Sequence, residues 1–179
     1  MKVIAISGSP RKNGNSDVLC DQFLKGAKEA GFETEKIHIG KTKISPCYAC
    51  YACRETGRCV QNDGMDEILE KIIQADVILL ATPVYFYSMD AQMKIFIDRS
   101  LARYKEIKNK TFYFVITAAD PRHEAMEPTI AGLNGYTTCL PGAVVKDIFY
   151  GTGAWDKGDI LGLPVMNKVF EAGKSLGNV

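Results

Sequence analysis

The chain is short of the residues that usually carry acid–base or nucleophilic catalysis. Its 179 residues include two histidines, His38 and His123, and no triad pattern accompanies either, so both read as structural or solvated. Charge of one sign is not in excess. Twenty-two Lys and Arg against 21 Asp and Glu leave a formal net charge of +1, which gives no footing for a nucleic-acid partner. The basic clusters at Lys41–Lys43 and Lys105–Lys110 then read as solvated loops. No apolar run approaches the length of a membrane span, and the first residues enter a core strand with no room for a leader peptide. The expected compartment is therefore the cytoplasm, with its thiols reduced, so a disulfide framework is not expected. Repeats, low-complexity tracts and linkers are absent, so the expectation is one domain over 1–179 with a cysteine-rich insert at about 41–64. Two common nucleotide signatures are missing as well: neither GxGxxG nor Gly-Lys-Ser/Thr occurs.

In their place stands a short apolar strand, Lys2–Ser7, that runs straight into Gly8-Ser9-Pro10-Arg11-Lys12-Asn13-Gly14-Asn15-Ser16 and then a helix. Ser9, Asn15 and Ser16 offer side-chain donors, Arg11 and Lys12 offer positive charge, and Gly8 and Gly14 allow sharp turns. The helix start adds free N–H groups and the positive end of its dipole. Such a loop suits a phosphate, and without the dinucleotide signature it points to a mononucleotide. An ordinary polar strand–helix turn would need only one glycine and one capping serine.

Strand and helix patterns alternate along the rest. Helices are expected over about 16–30, 64–74, 90–103, 124–139 and 159–176, and further strands over 33–39, 75–82, 111–118 and 142–149. The second strand alternates as an edge strand does, whereas 75–82 and 111–118 are apolar on both faces and read as buried. Five strands, each followed by a helix, require a parallel sheet with right-handed crossovers and helices on both faces. The expected fold class is α/β, a flavodoxin-like three-layer α/β/α sandwich with strand order 2-1-3-4-5. In such sheets a ligand lies at the carboxyl ends of the strands flanking the switch point, here the first and third.

The turn after the third strand reads Thr82-Pro83-Val84-Tyr85-Phe86-Tyr87-Ser88-Met89. Exposed aromatics on a sheet-top loop are costly unless they cover something flat and apolar, such as an isoalloxazine ring. A hydrophobic contact between subunits is the other reading, and a flavin at a subunit interface would use both.

Taken together, SGSPRKNGNS after the first strand and ATPVYFYSMDAQMKIFIDR after the third resemble the NADPH-dependent FMN reductase family of flavodoxin-like proteins. The likeness covers nearly the whole chain. It implies that Ser9, Arg11, Asn15 and Ser16 hold an FMN phosphate, with Lys12 beside them, and that Pro83, Val84, Tyr85 and Phe86 line the ring. It also implies that Thr117, Ala118 and Asp120 close on the pyrimidine edge, although Asp120-Pro121-Arg122 is stiffer and more charged than the glycines many relatives carry there. A homodimer or homotetramer with Tyr85 to Met89 near the contact is implied as well.

Four of the six cysteines, Cys47, Cys50, Cys53 and Cys59, form C-x2-C-x2-C-x5-C in a segment with no helical or strand period. Three closely spaced thiols and a fourth suit a [4Fe-4S] cubane, because short loops reach three corners at once. Tetrahedral zinc, a disulfide formed in air, and thiols without a metal stay open as alternatives. The spacing resembles the iron–sulfur flavoprotein branch of the same family. Tyr48 and Tyr51 between these thiols read as packing residues, and Cys20 and Cys139 as inert.

A flavin carries redox chemistry itself, so the scarcity of acid–base residues fits. The expected reaction passes a hydride from NAD(P)H to FMN and on to a quinone, another flavin, a nitroaromatic or an iron–sulfur acceptor. Three alternatives stay open: an iron–sulfur flavoprotein reduced by ferredoxin, a non-enzymatic flavodoxin-type carrier, and a redox-sensing module. Carriers of the flavodoxin type are usually strongly acidic, and this chain is near neutral.

Overall fold

A computed structural model describes residues 1–177 and has the α/β architecture expected of the alternating pattern. Its strands are β1 (Lys2–Ser7), β2 (Glu33–His38), β3 (Val77–Tyr85), β4 (Ser88–Met89), β5 (Thr111–Thr117) and β6 (Val144–Gly151). The sheet order is β2-β1-β3-β5-β6, and every ladder along that path is parallel. Counting the parallel strands alone, this is the expected 2-1-3-4-5 order. The sixth strand, β4, pairs antiparallel with the end of β3.

Side chains alternate across each strand, and the alternation splits the core in two. Val3, Ala5, Val77, Leu79, Tyr113 and Val115 point to one face, where α1 (Asn15–Glu29) and α6 (Val165–Lys174) pack. Ile4, Ile6, Ile78, Leu80, Phe112 and Phe114 point to the other, beneath α3 (Met65–Gln74), α4 (Ala91–Arg99) and α5 (Glu127–Thr138). Strands buried on both faces must be apolar throughout, which is why β1, β3 and β5 read as continuous hydrophobic runs.

Several boundaries differ from expectation, each for a local reason. β3 continues past Thr82 to Tyr85, because β5 goes on pairing with it through Pro83↔Thr117. Proline is accepted there because the ladder to β1 has already ended at Ser7↔Ala81, so its missing donor breaks no β1–β3 bond. What reads as a loop over 82–89 is thus a strand extension and a hairpin. The expected helix over 90–103 ends at Arg99 and continues as a 3-10 turn. The helix expected from 124 begins as a 3-10 turn at His123–Met126, with Pro128 at the start of α5. The last helix begins at Val165, because Pro164 cannot continue the 3-10 turn Asp159–Gly162 and serves as an N-cap. The final strand is shifted two residues along, to Val144–Gly151. Residues 42–64 contain one short helix, α2 (Cys53–Thr56), and are otherwise irregular.

Candidate functional site

β1 and β3 end side by side and their chains leave in opposite directions, which opens a cleft above the sheet. Its empty space, counted out to the open mouth, is about 600 Å³. Four segments line it: Ser9, Arg11, Asn15 and Ser16 after β1; Pro83, Val84 and Tyr85 at the end of β3; Thr117, Ala118 and Ala119 after β5; Ala154 and Trp155 after β6.

The β1–α1 loop leads into a helix start whose first amides are free. Gly14 caps α1 without a side-chain bond, and among the described residues the amides of Asn15, Ser16 and Asp17 donate to no carbonyl outside the helix. Those donors and the helix dipole are therefore available at the cleft. The loop is held from below. The Asn13 amide, on a residue with φ of 54°, donates to Asp17 Oδ2 at 2.8 Å, and Lys36 Nζ lies 3.0 Å from Asp17 Oδ1. Burial pushes the Asp17 carboxyl up, but Lys36, the Asn13 amide and His38 outweigh it and hold the group below its usual value.

The root of the loop is squeezed from two sides. A side chain on Gly8 would strike the buried Asp90 carboxylate at 2.6 Å, and one on Gly40 would strike the carbonyls of Ser9 and Gly8. Both glycines are there for close approach rather than for turning. Asp90 caps α4 by accepting the Met93 amide at 2.8 Å, its own amide donates to Thr82 Oγ1, and its Oδ2 has no partner among the described residues. Burial pushes its carboxyl up to about 6.

The fourth wall, from Ala154 and Trp155, is absent from the sequence reading. Arg11 donates to the Trp155 carbonyl at 3.3 Å. The Asn15 side chain donates to the carbonyls of Ala154 and Asp156 and accepts from the Gly158 amide, so its amide is spent on positioning this loop. Ser16 reaches across to Thr117, with their hydroxyls 2.7 Å apart. The signal that could have found this wall is the single tryptophan, set in a glycine-rich turn after the fifth parallel strand and 72% exposed.

Three expected contact residues lie outside the cleft lining. Lys12 is solvent-exposed. Phe86 stands fully exposed at the tip of the β3–β4 hairpin. Asp120 turns to Arg122, its neighbour two residues on, which holds the carboxyl down at about 2. The hairpin tip is strained: Phe86 and Tyr87 have φ of 49° and 62°, a two-residue turn that favours Asn-Gly.

Of the histidines, His123 stacks on Tyr150 and His38 lies 3.7 Å from Asp17. Neither lines the cleft.

Cys47, Cys50, Cys53 and Cys59 all line one small hollow, together with Tyr48, Tyr51 and Leu101. The Ala49 amide donates to Cys47 Sγ at 3.4 Å, and Ala49 and Tyr51 both take left-handed backbone angles between the cysteines. Even so, among the described residues no three Cys, His, Asp or Glu groups converge as metal ligands. The thiols share a hollow without forming a closed ligand set. Cys20 is buried and its thiol pKa is pushed up by that burial, as befits a core residue. Cys139 is exposed and shares an apolar groove with Cys47. No helix among the described residues is long and apolar enough to cross a membrane.

An iron-sulfur flavoprotein of Methanosarcina thermophila is 38% identical over 185 residues, covering all of this chain and 95% of that protein. An iron-sulfur flavoprotein of Archaeoglobus fulgidus is 48% identical over 101 residues, covering 56% of this chain and 46% of that protein. That match spans about half of the relative's length. Among solved structures, an FMN-dependent NADH-azoreductase from Bacillus anthracis in complex with FMN shares the fold at a TM-score of 0.75 and 17% identity, with 98% of each chain covered. Residues 1–155 match the family described as NADPH-dependent FMN reductase, and the chain belongs to that family.

Proposed function

We propose that the protein is an FMN-dependent oxidoreductase that accepts a hydride from NAD(P)H and passes electrons to a quinone, a second flavin, a nitroaromatic or an iron–sulfur acceptor. The observation that carries this reading is the joining, in one cleft, of an anion cradle at the start of α1 and a flat wall at the end of β3. The unpaired amides of Asn15 to Asp17 and the Arg11 side chain suit a phosphate; Pro83, Val84 and Tyr85 suit a planar ring. Bound FMN would supply the redox step, accepting a hydride at its ring and later releasing electrons. The chain's own residues bind, orient and leave an open side. Ser16 and Thr117 hold the two ends of the cleft together, and Asn15 and Arg11 draw the 154–158 loop over it. Tyr85 and Trp155, both exposed at the mouth, offer apolar surface to an incoming nicotinamide or acceptor ring. The exposed hairpin tip, Phe86 and Tyr87, is the natural contact for a second copy in a homodimer or homotetramer.

The test is anaerobic mixing of FMN-loaded protein with NADH and with NADPH. Bleaching of the oxidised flavin spectrum by either supports the reading, and a flavin left oxidised by both rejects it.

A second reading, an iron–sulfur flavoprotein reduced by ferredoxin, is favoured by the four thiols around one hollow and by the names of the relatives. Anaerobic purification with iron and acid-labile sulfide assays separates the two. About four irons per chain would support a [4Fe-4S] centre at Cys47, Cys50, Cys53 and Cys59. Zinc found in its place would reject the cluster.

A further inference from the structure

Among the described residues the largest fully buried side chain is a charged one, Arg99, at the end of α4. Its guanidinium forms a two-pronged pair with Asp63, Nη1 to Oδ2 at 2.8 Å and Nη2 to Oδ1 at 2.9 Å, and Nη1 also donates to the Ser45 carbonyl at 2.7 Å. Asp63 in turn accepts the amides of Ser45 and Met65. Ser45 and Asp63 bracket the cysteine segment, one two residues before Cys47 and the other four residues after Cys59. The Nε–H of Arg99 is buried with no partner among the described residues. A buried cation with an unused donor costs free energy unless something nearby makes use of it.

Between these anchors the segment is held by α2, which packs against the 3-10 turn Ser100–Ala102, and by bonds among its own residues. Gln61 bonds the Pro46 carbonyl near the ends, while Cys47, Cys50 and the tyrosines between the thiols are exposed. The frame is therefore built and the thiols are not yet closed on a common centre.

We propose that Arg99 is a positioning residue for the four-cysteine segment, clamping both its ends so that closure of the thiols on a metal centre involves only the turns between Pro46 and Val60. Arg99 also ties this segment to the cleft, since α4 begins at Asp90 beneath Gly8 and ends at the clamp. The role of Arg99 stands on its contacts to Ser45 and Asp63; its link to a metal rests on the second reading above.

The experiment compares the full-length protein with Arg99→Gln and Arg99→Lys, all carrying FMN. Arg99 does not line the cleft, so retained FMN reports an intact fold in each variant. Limited trypsin digestion without metal reads the clamp directly, because Arg54 and Arg58 lie inside the segment. Cleavage there is expected to rise about tenfold in Arg99→Gln and less in Arg99→Lys, which keeps the charge but lacks the planar fork. Anaerobic reconstitution with ferrous iron and sulfide reads the second part. Wild type is expected to take up iron, Arg99→Gln to lose most of it, and Arg99→Lys to take it up with a shifted midpoint potential. Equal cleavage in wild type and Arg99→Gln overturns the clamp, whatever the metal does. Equal iron content and potential in all three overturns its role in the centre. If wild type takes up no iron while Arg99→Gln is still cut faster, the metal reading fails and the clamp stands.

Discussion

The hydroxyl oxygens of Ser16 and Thr117 lie 2.7 Å apart in the interior, joining the first turn of α1 to the last residue of β5. This bond fixes the distance between the anion end of the cleft and its far wall. Ser16→Ala or Thr117→Val leaves the other hydroxyl buried and unpaired, at about 1–2 kcal/mol each. FMN affinity, measured by quenching of flavin fluorescence, is expected to fall about fivefold to thirtyfold in either variant. The double variant should fall by less than the product of the two, because both changes break one bond. Full additivity would mean that the two hydroxyls act independently.

Arg11 faces the cleft and holds the Trp155 carbonyl. Arg11→Ala should weaken FMN by about 1.5–3 kcal/mol, the usual worth of a hydrogen bond to a charged group. Riboflavin, which has no phosphate, should lose much less. Parallel titration of the two flavins decides this, and equal losses would move Arg11 from the phosphate to the loop alone.

A methyl group on Gly40 has no room, since the carbonyls of Ser9 and Gly8 occupy its place. The 3-10 turn carrying Gly40 packs against the root of the β1–α1 loop. Gly40→Ala is expected to push that root into the cleft and to cost FMN binding more than it costs melting temperature. Purified variant with full FMN occupancy would contradict this.

Asp90 controls a pH window. Its carboxyl rises from 3.8 to about 6 on burial, so the folded state holds the proton more tightly than the unfolded state does. Native stability from this group is therefore greatest below about 3.8, falls as pH rises from there to about 6, and stays level above. The whole loss is at most about 3 kcal/mol. Asn can still cap α4 by accepting the Met93 amide. Asp90→Asn should thus melt higher than wild type at pH 7 to 8 and lose the wild-type slope between pH 4 and 6. Thermal melts across pH 4 to 8 measure both.

Phe86 and Tyr87 occupy left-handed backbone angles that cost bulky residues roughly 1–2 kcal/mol each. The double variant Phe86→Asn, Tyr87→Gly fits the turn and should raise thermal stability. It should also weaken self-association if the tip is the contact between copies, read by sedimentation at several protein concentrations. Raised stability with unchanged association would leave the tip free for another role.

The sheet was readable because each buried strand carries an unbroken apolar run and each helix a period of its own. The place of the β1–α1 loop beside the cleft was readable because its donors and glycines are contiguous in the chain. Trp155 and the Asn15 contacts to the 154–158 loop were not, since they join segments about 140 residues apart and leave no local pattern. Lys12, Phe86 and Asp120 stand outside the cleft lining. Each has suitable chemistry and sits within a residue or two of the lining, yet the backbone turns it outward or hands it to a neighbour.

Composition, hydrophobic period and two contiguous motifs by themselves determined the layer order of this protein, the parallel sheet and the position of the β1–α1 loop above it, because these depend on near neighbours in the chain. Only the tertiary structure decided which side chains share the cleft, that Arg99 clamps the cysteine segment, and that Asp90 lies beneath Gly8. Those relations depend on the close approach of distant segments, set by packing of the whole sheet and its helices, and no short stretch of residues encodes them.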